Sequence, residues 1–174
     1  MDTILRVDMG AKGGPKFKKE GLGEYSGNGG RAMTSAIVSK EVPPLCHPLG
    51  SENKLVIAPG LLSGSAAAVS GRISIGCKSP LTGGIKESNS GGQAAQVLAR
   101  LGYAAIVLEG KPEGNDIYKI TINKDGVKIE ADNSLKMLPN YDLIKKIKGV
   151  YGDKGACISI GPAGEMKMSA ASIA

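Results

Sequence analysis

Asn89, Ser90, Gly91 and Gly92 stand at the end of the stretch Gly71–Gly92, GRISIGCKSPLTGGIKESNSGG, where residue type and spacing together could bind an anion. Ile73, Ile75 and Cys77 alternate with Ser74, Gly76 and Lys78, which predicts a half-buried strand. A breaker-rich loop follows, and Asn89–Gly92 is read as opening a helix. The first turn of a helix leaves N–H groups unpaired and carries partial positive charge, so glycine there lets a phosphate approach the main chain. The same spacing also fits Asn89 or Ser90 as a plain cap, with the glycines turning the chain.

Other chemistry-bearing residues are sparse. Lys78 could add charge near a phosphate, and it could equally be a solvated strand residue. His47 is the one histidine; in a proline-rich loop beside Cys46 it reads as surface filler rather than a metal ligand. Cys46, Cys77 and Cys157 lack the spacing of a zinc site, a cluster or a disulfide framework, and read as buried or incidental thiols.

The elements that must position these residues are limited by composition. A chain of 174 residues supports one compact domain, and with 3% aromatics its core must come from Ile, Val, Leu, Ala and Met. Its 26 glycines argue for a turn-rich α+β fold. A formal charge of +6 raises nucleic acid as a partner, but the lysines are scattered and lack interleaved stacking rings, which argues against it. No apolar run approaches a bilayer span or a leader, so the expected address is the cytoplasm, with no membrane.

Strands are expected at 3–9, Leu55–Ala58, 71–78, Ala104–Leu108 and Cys157–Ile160, with Met166–Ile173 as a further candidate. Lys12–Gly30 should be loop or weak strand. Ile117–Ile122 and Val127–Glu130 should pair as a hairpin turned by Asp125-Gly126. Helices are expected over Arg31–Lys40, over Gly91–Arg100 with Ala94, Val97, Leu98 and Leu101 inward, and after Asn140 as a cap, with Leu143, Ile144 and Ile147 inward. Strand, proline–glycine turn and strand occur at Leu55–Ile75 and again at Ala156–Ile173, which suggests a duplicated unit.

Ser70-Gly71-Arg72, then Lys78-Ser79-Pro80-Leu81-Thr82-Gly83, then Asn89-Ser90-Gly91-Gly92 resemble the signature stretch of the tungsten-dependent aldehyde ferredoxin oxidoreductase family. Ile4-Leu5-Arg6-Val7-Asp8, Gly29-Gly30-Arg31-Ala32 and Pro48-Leu49-Gly50-Ser51-Glu52-Asn53-Lys54-Leu55 resemble its earlier blocks. Leu101-Gly102-Tyr103-Ala104-Ala105-Ile106-Val107-Leu108-Glu109-Gly110-Lys111 and Ser159-Ile160-Gly161-Pro162-Ala163-Gly164-Glu165 resemble its later ones, in order and over nearly the whole chain. One departure is the short, lysine-rich passage Gly10–Glu20, where the family carries a longer acidic insertion.

The resemblance implies an α+β, β-rich, duplicated sheet domain with a few short helices, in which residues 1–174 form an N-terminal tungstopterin-binding domain with its second half cut short. It implies cofactor contacts from Arg72, Asn89 and Gly91, with the Asn89 backbone carbonyl joining a magnesium that bridges two pterin phosphates. An ordinary strand-end pairing of Arg72 with a carboxylate is the alternative. The implied cofactor is a bis-pterin carrying tungsten or molybdenum, beside a four-iron four-sulfur cluster whose cysteines are not in this chain. Ser79, Thr82 and Gly83 are expected to shape the loop.

The implied activity of the parent enzyme is oxidation of aldehydes to carboxylic acids, with electrons passed through the cluster to ferredoxin; no catalytic residue is assigned in this chain, which alone should be inactive. The implied partners are the remaining domains of the same enzyme and ferredoxin, and a homo-oligomer is compatible. Two other readings stay open: the same cofactor acting on an aromatic thioester, and a non-catalytic module holding a phosphorylated small molecule.

Overall fold

The computed structural model describes residues 1–174, which fall into two compact units, Met1–Glu113 and Gly114–Ala174. The first unit is a six-stranded mixed sheet with a helix on each face. Its strands are β1 (Thr3–Asp8), β2 (Lys16–Gly21), β3 (Leu55–Pro59), β4 (Arg72–Lys78), β5 (Ile85–Gly91) and β6 (Tyr103–Glu109), in the order β2-β1-β6-β3-β4-β5. Only β1 and β6 run parallel; every other pair is antiparallel.

The apolar run Tyr103–Leu108 explains the central place of β6, because a strand covered on both faces tolerates few polar side chains. The polar sequences of β2 and β5 put them at the two edges, where charged side chains discourage further pairing. The lysines of Lys16–Lys19 thus belong to a solvated edge strand in a passage expected to be loop or weak strand.

Helix α1 (Gly30–Glu41) buries Met33, Thr34, Ile37 and Val38, a stripe at helical spacing, against Ile4, Val56, Ala58, Ala105 and Val107. Its approach to β4 is close: a Cβ on Gly76 would lie 2.7 Å from the Thr34 Cβ. Gly76→Ala should therefore lower stability by about 1–3 kcal/mol. Gly84→Ala, whose Cβ would meet only the Thr82 hydroxyl at 4.0 Å, is the control. Equal melting of the two variants would refute the close contact.

Helix α2 (Gln93–Arg100) contacts β3, β4 and β6. It buries Ala95, Leu98 and Ala99, whereas Ala94 and Val97 are half-buried; the inward face is rotated from the expected one.

One polar cluster ties β1, β2, β6 and Lys54, the residue before β3, to α1. The two terminal nitrogens of Arg6 each donate to a different oxygen of Glu41 at 2.7 Å, while its Nε donates to Glu20. Tyr25 Oη and Lys54 Nζ also donate to Glu41, each at 2.7 Å, and Lys54 pairs with Glu109 at 2.8 Å. Burial alone would push the Glu41 carboxyl up, but the bonds from Arg6, Lys54 and Tyr25 outweigh it and hold the group at about 2. The hydrogen bond to Glu41 raises Arg6. Lys54 is raised too, its burial outweighed by Glu109 and Glu41.

The second unit contains the hairpin β7 (Tyr118–Asn123) and β8 (Gly126–Ala131), then α3 (Asn140–Tyr151) and the short α4 (Gly161–Glu165). The two-residue loop is Lys124-Asp125, with Gly126 opening β8; Asn123 Oδ1 accepts from the amides of Asp125 and Gly126 at 2.9 and 3.0 Å. Leu143 is buried on α3, Ile144 and Ile147 are half-buried, and Lys145, Lys146 and Lys148 are exposed. Pro139, not Asn140, occupies the N-cap, and Asn140 is the first helical residue.

Both units share an element order. Lys16–Gly21, the 3₁₀ turn Gly23–Tyr25 and α1 are matched, at one constant spacing, by Gly126–Ala131, the 3₁₀ turn Asn133–Leu135 and α3. The duplication therefore starts before the strand–turn–strand echo seen in the sequence. That echo is partial: Ser159 and Ala174 exchange two backbone bonds, at 2.8 and 2.9 Å, much as β3 and β4 pair. Cys157–Ile160 nevertheless forms no strand, and Met166–Ile173 forms none either, because the only ladder of this unit is β7–β8 and their donors lack a sheet to join. No helix is long and apolar enough to cross a membrane.

Candidate functional site

The site is built by the β4–β5 hairpin. Ser79 sets its loop: the hydroxyl accepts from the amides of Leu81 and Thr82 at 3.2 Å each, and Ser79 N donates to Gly84 O at 2.8 Å. Gly83 N returns to Ser79 O at 2.9 Å. This turn fixes the register, so that Arg72 faces Gly91, Ser74 faces Asn89 and Gly76 faces Glu87. Side chains two apart share a face, so Arg72, Ser74, Glu87, Asn89 and Gly91 lie on the side of the sheet that carries α1.

The ladder also exposes main chain. Gly60 N donates to Arg72 O at 2.9 Å, which directs the backbone groups of Arg72, Ser74 and Gly76 toward β3. Their partners Glu87, Asn89 and Gly91 consequently occupy non-hydrogen-bonded positions, with N–H and C=O turned away from β4. Since β5 is the edge, no further strand receives them.

Side chains are fixed over that edge. Arg72 Nε donates to Asn89 Oδ1 at 2.7 Å, and Asn89 Nδ2 donates to Ser74 Oγ at 2.9 Å. Ser74 is fully buried, so the chain of bonds holds an exposed guanidinium in one orientation. Its two terminal nitrogens have no protein partner. Gly91 and Gly92 are exposed, and a Cβ on Gly92 would meet nothing within 4 Å.

Arg72, Asn89 and Gly91 are thus brought together, but not at a helix start. In-register pairing keeps the backbone extended through Gly91, and Gly92, at φ 121°, makes the turn into α2. The start of α1 also lies beside this cluster: a Cβ on Gly30 would lie 3.5 Å from Ser74 Oγ, and no side chain caps this helix. Sequence periodicity could not show this, since α1 precedes the hairpin by a strand and two loops.

Lys78 takes no part. It is buried, and its ammonium donates to the Pro44 carbonyl, neither near the site nor solvated. His47 accepts from the Leu49 amide through Nδ1. Cys77 points to the opposite face from Arg72, where burial pushes its thiol up, and no three His, Cys, Asp or Glu side chains cluster to hold a metal ion. A hard cation here would need main-chain carbonyls such as that of Asn89 together with ligand oxygens, a donor set that suits magnesium.

Two residues of this face escaped the sequence reading. Arg31, at the start of α1, donates through Nε to Glu87 Oε2 at 2.9 Å. Glu87 alternates with Asn89 in β5, which was the available signal; the register needed to use it came only from the hairpin.

The description "Aldehyde ferredoxin oxidoreductase, N-terminal domain" matches residues 4–174. The chain belongs to this family. It is 40% identical to the tungsten-containing aldehyde ferredoxin oxidoreductase of Thermococcus kodakarensis (strain ATCC BAA-918 / JCM 12380 / KOD1), over 98% of this chain and 28% of that protein. Against the protein of the same name from Pyrococcus furiosus (strain ATCC 43587 / DSM 3638 / JCM 8422 / Vc1) it is 39% identical, over 83% and 24% respectively. It also resembles the active site complex BamBC of benzoyl coenzyme A reductase, solved with 1,5-dienoyl-CoA, at a TM-score of 0.87 and 30% identity, over 99% of this chain and 26% of that one. The chain therefore spans about a quarter of the length of these relatives. Family membership agrees with the α+β, sheet-dominated architecture.

Proposed function

We propose that residues 1–174 serve together as the cofactor-binding N-terminal domain of a tungsten- or molybdenum-bispterin oxidoreductase similar to aldehyde ferredoxin oxidoreductase. The observation that carries this reading is the exposed Arg72 guanidinium, held by Asn89, beside the open main chain of Asn89, Gly91 and Gly92. The residues fit the group: an anionic, phosphate-bearing cofactor needs fixed cationic donors and close main-chain approach, and both are present.

Arg72 would bind and orient the pterin through its free terminal nitrogens, and Gly91 would meet it through the backbone. The Asn89 carbonyl would join a magnesium ion at the phosphates, while the Asn89 side chain keeps Arg72 in place. When bound, the metal–bispterin supplies the redox chemistry, which in this reading takes aldehydes to carboxylic acids and delivers electrons through a four-iron four-sulfur cluster to ferredoxin. The remaining domains of the enzyme would supply the cluster cysteines and the substrate channel. A cytoplasmic location and a homo-oligomeric state belong to the same reading.

Tungsten and pterin content of the full-length enzyme tests it, by mass spectrometry of the metal and fluorescence of the oxidised pterin. Gly91→Val should abolish loading by bulk. Asn89→Ala should lower it less, by releasing Arg72. Wild-type occupancy in both variants would remove the proposal.

The likeness to BamBC favours a second reading, in which the same cofactor serves reduction of an aromatic thioester. Steady-state assays of the full-length enzyme with an aldehyde and ferredoxin, against an aromatic thioester and a low-potential donor, separate the two.

A further inference from the structure

We infer that Arg31 is a second guanidinium of the anion seat, oriented by Glu87, so that the β5 edge receives a ligand with two adjacent anionic groups of the phosphate type. This rests on the proposed function of the Arg72 site and extends it.

Two arginines are anchored in the same way on one strand. Arg72 is gripped through Nε by Asn89, and Arg31 through Nε by Glu87 at 2.9 Å. In each case both terminal nitrogens are left without a protein partner, so each guanidinium presents a planar pair of donors outward, the form suited to phosphate or carboxylate. Glu87 and Asn89 are two residues apart on one face, which sets the anchors about 7 Å apart along the strand. Two guanidiniums anchored at that separation are spaced to bracket a pyrophosphate-sized ligand.

The Arg31–Glu87 pair is not built as a surface salt bridge. The Glu87 side chain is 8% exposed while that of Arg31 is 76% exposed. Glu87 Oε1 is buried without any hydrogen-bond partner, and it is the one such side-chain atom in the protein. A carboxylate buried on one bond is a costly arrangement, and a guanidinium serving stability alone would lie across both oxygens. Arg31 instead spends one nitrogen on the anchor and keeps the fork in solvent. Glu87 is accordingly a positioning residue, acting through Arg31. The uncapped start of α1, from which Arg31 projects, adds positive potential on the same side.

Calorimetric titration of the full 174-residue chain with inorganic pyrophosphate, at two salt concentrations, tests this. The wild-type chain should bind saturably. Arg31→Gln should weaken binding about tenfold, the scale of one charge-assisted contact, and flatten its salt dependence. Arg31→Lys should recover part of the loss, because charge returns without the planar fork. Glu87→Ala should weaken binding with the Arg31 charge still present, and Glu87→Gln, which keeps an acceptor for Nε, should weaken it less. Thermal melts confirm that each variant is folded.

Wild-type affinity in Arg31→Gln, with Arg72→Gln impaired, overturns the second guanidinium and leaves the Arg72 reading standing. Wild-type affinity in both variants, or no saturable binding by the unmodified chain, overturns the two together.

Discussion

Glu41→Ala should leave the first unit unfolded or close to it, with a loss of about 3–5 kcal/mol, because it takes the bidentate partner from the buried Arg6 and one of two carboxylates from the half-buried Lys54 at once. Arg6 would lose both 2.7 Å bonds of its terminal nitrogens, keeping Glu20 and the longer Glu109 pair at 3.6 Å; Lys54 would lose one of two carboxylates, and the Tyr25 hydroxyl its acceptor. A domain of this size has only about 5–15 kcal/mol in total, so the change consumes a large share. Glu24→Ala is the control. It removes the partner of Lys40 from a pair exposed on both sides, and should change stability by no more than about 0.5 kcal/mol. Urea unfolding of both variants decides; similar midpoints would show that the Glu41 cluster contributes no more than a surface pair.

The same carboxylate predicts an acid transition. Glu41 is held at about 2 in the folded chain against an ordinary value of 4.5, so the unfolded chain takes up its proton first as pH falls. Its contribution is complete above about 4.5 and is lost progressively toward pH 2. Glu20, also lowered, has burial working against it and the hydrogen bond from Arg6 outweighing that burial, and it adds to the loss in the same direction. In Glu41→Gln the acid limb of the stability curve should be shallower. An unchanged limb would assign the acid sensitivity to other carboxylates.

Arg72→Ala in the full-length enzyme should cut tungsten and pterin content by more than tenfold while the 174-residue chain melts within about 0.5 kcal/mol of the wild type. The separation is expected because Arg72 is exposed and supports no core contact, whereas its terminal nitrogens are the free donors of the site. Arg72→Lys should load partially: the charge remains, but an ammonium on a flexible stem cannot both bond Asn89 and present a planar fork. Full loading of Arg72→Ala would mean that the guanidinium is an ordinary surface group. Loss of stability in parallel with loss of cofactor would mean a structural role.

Local pattern alone carried the elements whose burial is uniform or strictly periodic. The apolar run at Ala104–Leu108 can satisfy its packing only in the interior, and β6 lies between β1 and β3. The 3.6-residue spacing of Leu143, Ile144 and Ile147 sets the inner face of α3, whereas the alternation in β4 misled: Ser74, Gly76 and Lys78 are buried, on the face that α1 covers, while Ile75 and Cys77 are half-buried. The ordered blocks from Ile4 to Glu165 resembled one family, to which the chain belongs. They also named Arg72, Asn89 and Gly91, three residues that the hairpin register places side by side.

What pattern could not supply is everything that depends on partners distant in sequence. Asn89 reads as a helix opener because Asn-Ser-Gly-Gly disfavours a strand interior, yet pairing with β4 keeps it extended, since ladder bonds outweigh a weak local preference. Lys78 looked available until the loop at Pro44 folded over it. Arg6 sits in an apolar strand as an apparent exception, and only the meeting of β1, β2, β6 and α1 shows its carboxylate partners. Composition and periodicity therefore determined the interior strands and the helices with a clear apolar stripe, because those choices are decided within a few residues, but not the polar edge strand β5 or the fate of Cys157–Ile160. The tertiary structure alone decided which charges are buried together and which guanidiniums remain open, because Coulomb and hydrogen-bond partners are chosen by distance in space rather than along the chain.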